Sequence, residues 1–256
     1  MHAKPFLVIF TARSGSTALY GNLRSHPDVV MRAEVFGNKE LPGGLEQNDD
    51  NRVAFLRQYW GAFRPGRAVQ ADKFRGFKLQ FNRNNEQFSA PRRLVKVALE
   101  YSPRIVVLRR QNHLKQAISA INAAHTLEES AVILKGRGTA HVTKEEAQLL
   151  GELRSKPREI DLARLEVLLK GIERNYQLLD MVAEAFGETY DVTYEDYLSD
   201  RDEVVKGIMS YIGMDPDKWV PEDAYVKITS DNLQDAIVNY EALKQFASGT
   251  RYKNML

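Results

Sequence analysis

The chain has 256 residues with 43% apolar and 27% charged side chains, a size and composition typical of one globular α/β domain spanning residues 1–256. Its formal net charge of +2 excludes a strongly basic nucleic-acid-binding protein, and the lack of cysteine excludes disulfides, thiolate metal sites and thiol nucleophiles. No apolar run has the ~18 residues of a membrane helix or the form of a signal peptide, so we expect a soluble, cytoplasmic protein without a membrane segment.

The first distinctive feature is a strand followed by a small-residue loop and a helix. The apolar run Phe6–Phe10 predicts a buried strand, and a helix pattern extends over Thr17–Ser25. Between them Thr11–Thr17 forms a polar turn, in which Arg13 supplies a positive charge and hydroxyl groups supply hydrogen-bond donors. Backbone N–H groups and the helix dipole favour anions at such a junction, so the pattern predicts a phosphate-binding loop. The alternative is an ordinary Ser/Gly turn that caps a helix.

This loop differs from that of the nucleoside triphosphatases. Their loop follows Gly-x-x-x-x-Gly-Lys-Ser/Thr, with the lysine on the β- and γ-phosphates and the hydroxyl on Mg²⁺. Here one glycine, Gly15, remains, and the basic residue Arg13 precedes the turn. A shorter loop suits a single terminal phosphate better than a polyphosphate. A phosphate-loop kinase or nucleotide-binding protein is kept as the alternative function.

The next part of the chain alternates predicted strands and helices. Val29–Met31 predicts a second short strand, with Glu34 just beyond its end, and Lys39–Asn51 has the turn-rich composition of a surface loop. An amphipathic pattern predicts a helix over Arg52–Phe63, and alternating apolar and polar residues predict a strand over Gly76–Phe81. Because Glu34 follows the second strand, it can face the loop that follows the first.

A second anion-binding pattern lies in the middle of the chain. Ile105–Leu108 predicts a central strand that ends in Arg109 and Arg110. The helix predicted over Asn112–His125 carries Ser119, nine residues after the second arginine. Taken alone, this pattern is an ordinary pair of surface arginines with a helical serine. Together with the first loop, it predicts a ligand with two separated phosphates.

The remaining elements continue the alternation. They are a helix over Arg92–Glu100, a mobile loop at Lys135–Thr139, a short helix over Lys144–Arg154, the clearest helix from Leu162 to Phe186 with Gly187 as its C-cap, a strand over Tyr190–Tyr194, and helices over Asp202–Ile212 and Asp231–Phe246. This alternation predicts a three-layer α/β fold with a mostly parallel central sheet and helices on both faces. Ligands of such sheets bind at the carboxyl ends of the strands.

These motifs resemble those of the sulfotransferases that use 3′-phosphoadenosine 5′-phosphosulfate (PAPS). Arg13-Ser14-Gly15-Ser16-Thr17 resembles the family's 5′-phosphosulfate loop, and Arg110 with Ser119 resembles its 3′-phosphate motif. The likeness is greatest to bacterial carbohydrate sulfotransferases of the trehalose 2-sulfotransferase type, and it extends to tyrosylprotein sulfotransferases. The resemblance implies a P-loop-like nucleotide-binding sulfotransferase fold, PAPS as donor, 3′-phosphoadenosine 5′-phosphate (PAP) as product, and no metal.

The resemblance also implies roles for single residues. Arg13 is the candidate for the leaving phosphate and the bridging oxygen. The 5′-phosphate is assigned to the loop and the start of its helix, at Ser14, Gly15, Ser16, Thr17 and Ala18. Ser119 and one of the two arginines, Arg109 or Arg110, would hold the 3′-phosphate. Because the spacing to the serine is one residue longer than in cytosolic members of the family, the choice between the arginines stays open.

The acceptor hydroxyl needs a general base, and Glu34 is the main candidate. The related trehalose and tyrosylprotein enzymes have their catalytic glutamate at the matching place. Lys78 follows a pattern of bacterial members and is a candidate for lining the active site, with an exposed strand lysine as the alternative interpretation. His125 and His141 are reserve bases.

Other assignments are less specific. Arg251 and Lys227–Ser230 are candidates for closing over the nucleotide. Segments 37–75 and 126–158 are expected to select the acceptor, a carbohydrate or other small molecule. A non-catalytic nucleotide-binding module is a further hypothesis, and the oligomeric state, a homo-oligomer included, is open.

Overall fold

The computed structural model describes residues 4–37, 40–61, 73–81, 91–133, 157–221 and 232–256. The elements predicted at Lys135–Thr139 and Lys144–Arg154 lie outside these residues, as do His141 and Lys227–Ser230. No helix in the described part of the chain is long and apolar enough to span a membrane.

The chain is divided into two compact units, each built from two pieces of sequence. The first comprises Met1–Arg109 and Arg174–Glu222, and the second comprises Arg110–Glu173 and Asp223–Leu256. A single domain over the whole chain stays a prediction.

A five-stranded sheet forms the centre of the first unit. Its strands are β1 (Lys4–Phe10), β2 (Val29–Arg32), β5 (Phe74–Gln80), β6 (Arg104–Arg109) and β7 (Thr189–Thr193). Their order is β2-β5-β1-β6-β7, and every neighbouring pair is parallel. The most apolar strand, β1, is therefore central, as expected for a strand covered on both faces. A separate antiparallel pair consists of β3 (Glu40–Leu41) and β4 (Leu45–Glu46).

Helices connect and cover the strands. In the described residues they are α1 (Ser16–Arg24), α2 (Asp49–Gly61), α3 (Pro91–Leu99), α4 (His113–Ile133), α5 (Leu162–Phe186), α6 (Tyr194–Ser199), α7 (Arg201–Ile212), α8 (Leu233–Ala236) and α9 (Tyr240–Ser248), with short 3₁₀ helices at Val35–Gly37 and Pro216–Lys218.

Alternation along the strands explains the core of the first unit. The side chains of Phe6, Val8 and Phe10 point to one face of the sheet, where they join a buried cluster that includes residues of α1 and α7. On the other face, the ring of Phe77 lies 5.6 Å from that of Trp60 in α2. Full burial of one such side chain contributes about 2 kcal/mol. Helices therefore cover both faces, which confirms the predicted three-layer α/β fold with a parallel sheet.

In the second unit, one predicted helix is interrupted. Described residues of the Asp231–Phe246 prediction form two helices, because α8 ends at Ala236 and α9 begins at Tyr240. Between them Ile237 forms a parallel bridge with Arg158. Asn239 then accepts a hydrogen bond from the backbone N–H of Ile160 at 2.9 Å and donates to its carbonyl at 2.8 Å. The bridge uses the Ala236 carbonyl and the Val238 N–H, which a continuous helix would have needed for its own hydrogen bonds.

Other predicted boundaries also differ from the structure. The predicted surface loop Lys39–Asn51 contains the β3–β4 pair, in which Leu41 is buried, and it ends inside α2. The strand predicted to reach Tyr194 ends at Thr193, whose hydroxyl oxygen caps α6 by accepting a hydrogen bond from the Asp196 N–H at 3.0 Å. The helix predicted to end at His125 continues to Ile133.

Candidate functional site

The candidate site lies at the carboxyl end of the central strand. Phe10 ends β1 and pairs in register with Gln80 of β5 on one side and Leu108 of β6 on the other. The chain then turns through Thr11–Gly15 into α1. Residues that follow these strands therefore emerge at one edge of the sheet, where parallel α/β proteins bind ligands.

The loop backbone contains two residues in the left-handed region. Gly15 has φ 86°, which glycine adopts freely, but Arg13 has φ 63°, which is uncommon for a residue with a side chain. Gly15 is the N-cap of α1 and provides no side-chain cap. The Ala18 N–H donates to the Gly15 carbonyl at 3.1 Å, so this predicted phosphate ligand is used within the turn itself. The N–H groups of Ser16 and Thr17 begin the helix, where anions are favoured.

Tyr194 packs directly on the loop. A Cβ added to Gly15 would lie 2.2 Å from Cδ2 of the Tyr194 ring, closer than two carbon atoms can approach. Both the positive φ and this ring therefore require glycine. Ser14 is 0% exposed, and its Oγ has no hydrogen-bond partner among the described residues. A buried hydroxyl in this position is suited to a ligand atom that enters the loop.

Lys78 joins the loop to the predicted base. It lies on β5, between β1 and β2, and is only 4% exposed. Its Nζ donates to Thr17 Oγ1 at 3.1 Å and to Ser16 Oγ at 3.4 Å, and it lies 3.1 Å from Glu34 Oε1. The exposed-lysine interpretation is therefore wrong. One buried ammonium group contacts both the first turn of α1 and the carboxylate that follows β2.

The pKa of Lys78 is set by opposing effects. Burial lowers the pKa of Lys78 from its ordinary 10.5, and the nearby Arg13 charge lowers it further. The charge of Glu34 and its hydrogen bond raise the pKa, but burial is the largest effect. The surroundings therefore compensate the charged form of Lys78 only in part, so an anionic ligand beside it would stabilise that form.

Glu34 is held by its neighbours in the chain. It follows β2 and precedes the 3₁₀ turn Val35–Gly37, whose Val35 and Phe36 side chains are buried. The Gly37 N–H donates to the Glu34 carbonyl at 3.0 Å. The Glu34 side chain is 30% exposed, so its carboxylate is fixed by Lys78 and still accessible from solvent. A substrate hydroxyl can reach such a group.

Arg109 is committed to other contacts. Its Nε donates to Asp191 Oδ1 at 2.7 Å, and a terminal nitrogen lies 2.5 Å from Asp180 Oδ1. Partial burial opposes its charge, but the hydrogen bonds to both aspartates outweigh this effect and raise the pKa of the guanidinium. Arg109 therefore anchors β6 to β7 and α5 through ion pairs.

The other predicted residues belong to the second unit. Arg110 and Ser119 are both buried, the latter within α4. Arg251 forms an ion pair with Glu173, whose carboxylate also accepts a hydrogen bond from Tyr252. His125 lies in α4 and is half-buried.

Two residues of the site were missed by the sequence interpretation. Tyr194 packs against Gly15, and the ring of Tyr20 lies 5.7 Å from the Lys78 ammonium. A signal for Tyr20 was present, because it follows Ser16 by four residues and so shares its helix face. No local signal connects Tyr194 with a loop almost 180 residues earlier.

Comparisons with known proteins agree with this architecture. A model of the sulfotransferase family matches residues 5–218. No curated protein is significantly similar to the chain in sequence. Among solved structures, a sulfotransferase from Alicyclobacillus acidocaldarius is similar in fold, with a TM-score of 0.52 and 15% identity over 98% of this chain and 95% of that one.

Two further solved structures are more distant. A mouse sulfotransferase, SULT7A1, in complex with PAP gives a TM-score of 0.48 and 14% identity over 98% of this chain and 80% of the other. A retinol dehydratase in complex with retinol and PAP gives a TM-score of 0.43 and 13% identity over 97% of this chain and 80% of the other.

Proposed function

Because the chain belongs to the sulfotransferase family, we propose that it transfers a sulfuryl group from PAPS to an acceptor hydroxyl. The observation that carries this proposal is the position of Lys78, whose ammonium contacts Glu34 and the hydroxyls of Ser16 and Thr17 in the first turn of α1. Sulfuryl transfer, like phosphoryl transfer, depends on positioning and on stabilising charge at the leaving oxygen. A buried cation between a donor-binding loop and a base serves both needs.

We assign the donor's 5′-phosphosulfate to the loop after β1. The buried Ser14 hydroxyl, the N–H groups that begin α1 and the Arg13 side chain provide donors for an anion. Arg13 and Lys78 would stabilise the charge that develops on the bridging oxygen as the sulfur–oxygen bond breaks. The N–H of Ala18, which is used inside the turn, is left out of this assignment.

Glu34 is the proposed general base. Its carboxylate would accept the proton of the acceptor hydroxyl while the acceptor oxygen forms its bond to sulfur and PAP leaves. Its partial exposure leaves room for the acceptor, and the salt bridge to Lys78 fixes its direction. His125 remains the reserve base.

For the 3′-phosphate we propose Arg110 and Ser119. The choice of arginine is supported by the two aspartates that bind Arg109 and make it a structural residue. Both Arg110 and Ser119 are buried, as groups that bind a phosphate away from water would be. Arg251, paired with Glu173, is a weaker candidate for nucleotide binding.

The acceptor class is proposed from the sequence. The likeness to trehalose 2-sulfotransferase-type enzymes favours a carbohydrate hydroxyl over a peptide or a phenol. Because Glu34 follows the edge strand β2 and its side chain is 30% exposed, a hydroxyl on a polar, solvated molecule can approach it.

The test is a transfer assay with ³⁵S-labelled PAPS and a panel of disaccharides, monosaccharides and phenols. Wild type is expected to label at least one acceptor, and Arg13→Ala to reduce turnover by about 10²-fold while retaining most PAP binding. Arg57→Ala is the control, because Arg57 forms only an exposed pair with Glu100 among described residues. Absence of PAP binding in wild type would overturn the proposal. Mg²⁺-dependent ATP turnover in its place would favour a kinase or nucleotide triphosphatase.

A further inference from the structure

The Lys78 ammonium lies against two aromatic rings as well as its oxygen partners. Its Nζ lies 3.1 Å from Glu34 Oε1, 3.4 Å from Ser16 Oγ and 3.1 Å from Thr17 Oγ1. The ring centroids of Phe10 and Tyr20 lie 5.5 Å and 5.7 Å from Nζ. Both distances are within the ~6 Å at which an aromatic face attracts a cation.

The two rings differ in what else they do. Phe10 is almost fully buried in the core cluster, so its ring has a packing role whatever Lys78 does. Tyr20 lies on α1, is only half-buried and packs at the side of that cluster. Its substitution therefore tests the contact with Lys78 without removing a core residue.

Other charged and titratable groups face this pair. From the loop, Arg13 lowers the pKa of Lys78, and from the turn after β2, Glu34 raises it. On α1 itself, the Arg24 guanidinium lies 5.9 Å from the Tyr20 ring. On α2, burial raises the pKa of Tyr59 to about 12, with Tyr20 as a minor contributor, so Tyr59 stays neutral at working pH.

We propose that Tyr20 is a positioning residue, whose ring together with that of Phe10 forms an aromatic seat for the Lys78 ammonium. The seat stabilises the protonated ammonium and directs it at Glu34 and the hydroxyls of Ser16 and Thr17. Its catalytic consequence rests on the proposed sulfuryl transfer, but the seat itself is a property of the folded chain.

The chemistry of the ligand explains why a ring suits this position. A second carboxylate would also compensate the buried ammonium, but it would repel the anionic phosphosulfate. An aromatic face stabilises the cation without adding a negative charge. The site can thus keep Lys78 charged and remain net positive toward an anion.

The first test measures the titration of Lys78 in the full chain. The Cε signals of ¹³C-labelled lysines are followed with pH, and Lys78→Met identifies the signal. Tyr20→Leu is expected to lower the Lys78 midpoint by about half a unit or more, whereas Tyr20→Phe retains the wild-type midpoint. The matched control is Tyr211→Leu, which removes a ring that lies 5.3 Å from the Arg104 guanidinium elsewhere in the first unit; it should leave Lys78 unchanged.

The second test uses the labelled-donor assay. In Tyr20→Leu, kcat is expected to fall about three- to tenfold and its alkaline limb to move to lower pH, with KM for PAPS nearly constant. Tyr20→Phe should restore both. Circular dichroism and thermal unfolding check that each variant is folded.

Two results would overturn the seat. One is an unchanged Lys78 midpoint in folded Tyr20→Leu, and the other is Tyr20→Phe behaving like Tyr20→Leu, which would assign the effect to the hydroxyl. If wild type shows no sulfuryl transfer but the midpoint moves as expected, the seat stands and the proposed function fails.

Discussion

Lys78 and Arg109 lie on the two strands that flank β1, and both pair with carboxylates, yet their surroundings are opposite. Among the described residues, Lys78 has one carboxylate partner, Glu34; the lysine is almost fully buried, and this burial lowers its pKa. The Arg109 side chain is 28% exposed, has two aspartate partners, and its pKa is raised. Two cations at one sheet edge are therefore held in different ways.

The difference separates a charge available to a ligand from one that is already neutralised. The two aspartates more than offset the cost of partly burying the Arg109 charge, so this residue stabilises the fold through its ion pairs. Burial disfavours the charged form of Lys78 and outweighs the charge and hydrogen bond of Glu34, so an anionic ligand beside the lysine would stabilise that form. Glu34 and the hydroxyls of Ser16 and Thr17 orient the ammonium.

The largest expected effect on turnover distinguishes the carboxylate that pairs with Lys78 from those that pair with Arg109. Glu34→Gln is expected to lower kcat for sulfuryl transfer by about 10²- to 10⁴-fold, because it removes the proposed base. Asp191→Asn is the matched control: it removes one partner of Arg109, leaves Asp180 in place, and should change kcat by no more than about twofold. Similar losses in both variants would break the distinction between the two pairs.

The cations themselves provide the second comparison. Lys78→Met should lower kcat by about 10²-fold and leave the thermal midpoint equal or higher, because the cost of burying an ammonium disappears. Arg109→Met should keep most activity and lose about 1 kcal/mol or less of stability, since its ion pairs are partly exposed. Turnover and thermal unfolding are measured on both. If the Lys78→Met variant is folded and fully active, Lys78 has no role in catalysis.

The loop before α1 allows a comparison of two glycines. Gly15 and Gly213 have φ of 86° and 88°, but an added Cβ meets the Tyr194 ring at Gly15 and nothing within 4 Å at Gly213. Gly15→Ala should therefore cost about 1–3 kcal/mol more in chemical denaturation than Gly213→Ala. It should also weaken PAP binding in calorimetry. Equal costs would mean that the ring yields and the loop is not held by Tyr194.

The smallest effect is a pair of opposite shifts in the Lys78 pKa. Glu34→Gln should lower it further, because the carboxylate raises it, and Arg13→Ala should raise it, because the guanidinium lowers it. NMR titration of the lysine Cε signals measures both. Shifts of the same sign in the two variants would contradict the balance described for this group.

The lowered pKa also predicts the sign of a stability effect. Folding makes Lys78 release its proton between its folded pKa and 10.5, so the unfolded chain binds more protons in that window. The free energy of unfolding therefore contains a component that rises with pH there. Denaturation curves of wild type should show this component, and those of Lys78→Met should lack it.

Local patterns were enough to predict part of this site. The buried strand, the loop with Gly15 and the helix start are encoded within about twenty consecutive residues, and Glu34 follows its strand closely. The order of the sheet is not local. That β5 lies between β1 and β2, and so makes Lys78 the link to Glu34, depends on contacts across the whole sheet.

Long-range partners explain the other gaps. The choice between Arg109 and Arg110 depends on Asp180 and Asp191, which are 71 and 82 positions from Arg109 in the sequence. The break between α8 and α9 depends on Arg158, far earlier in the chain. In contrast, α6 had a readable local cap at Thr193, which the strand pattern obscured.

We propose that Lys78 and Glu34 act as one unit in sulfuryl transfer. Single-turnover transfer from ³⁵S-labelled PAPS is measured with wild type, Glu34→Gln, Lys78→Met and the double variant. Groups that act together lose their effect only once, so the double variant should be no more than a few-fold slower than the slower single variant. Rate losses that multiply in the double variant would contradict the claim, as would a double variant that transfers as fast as wild type.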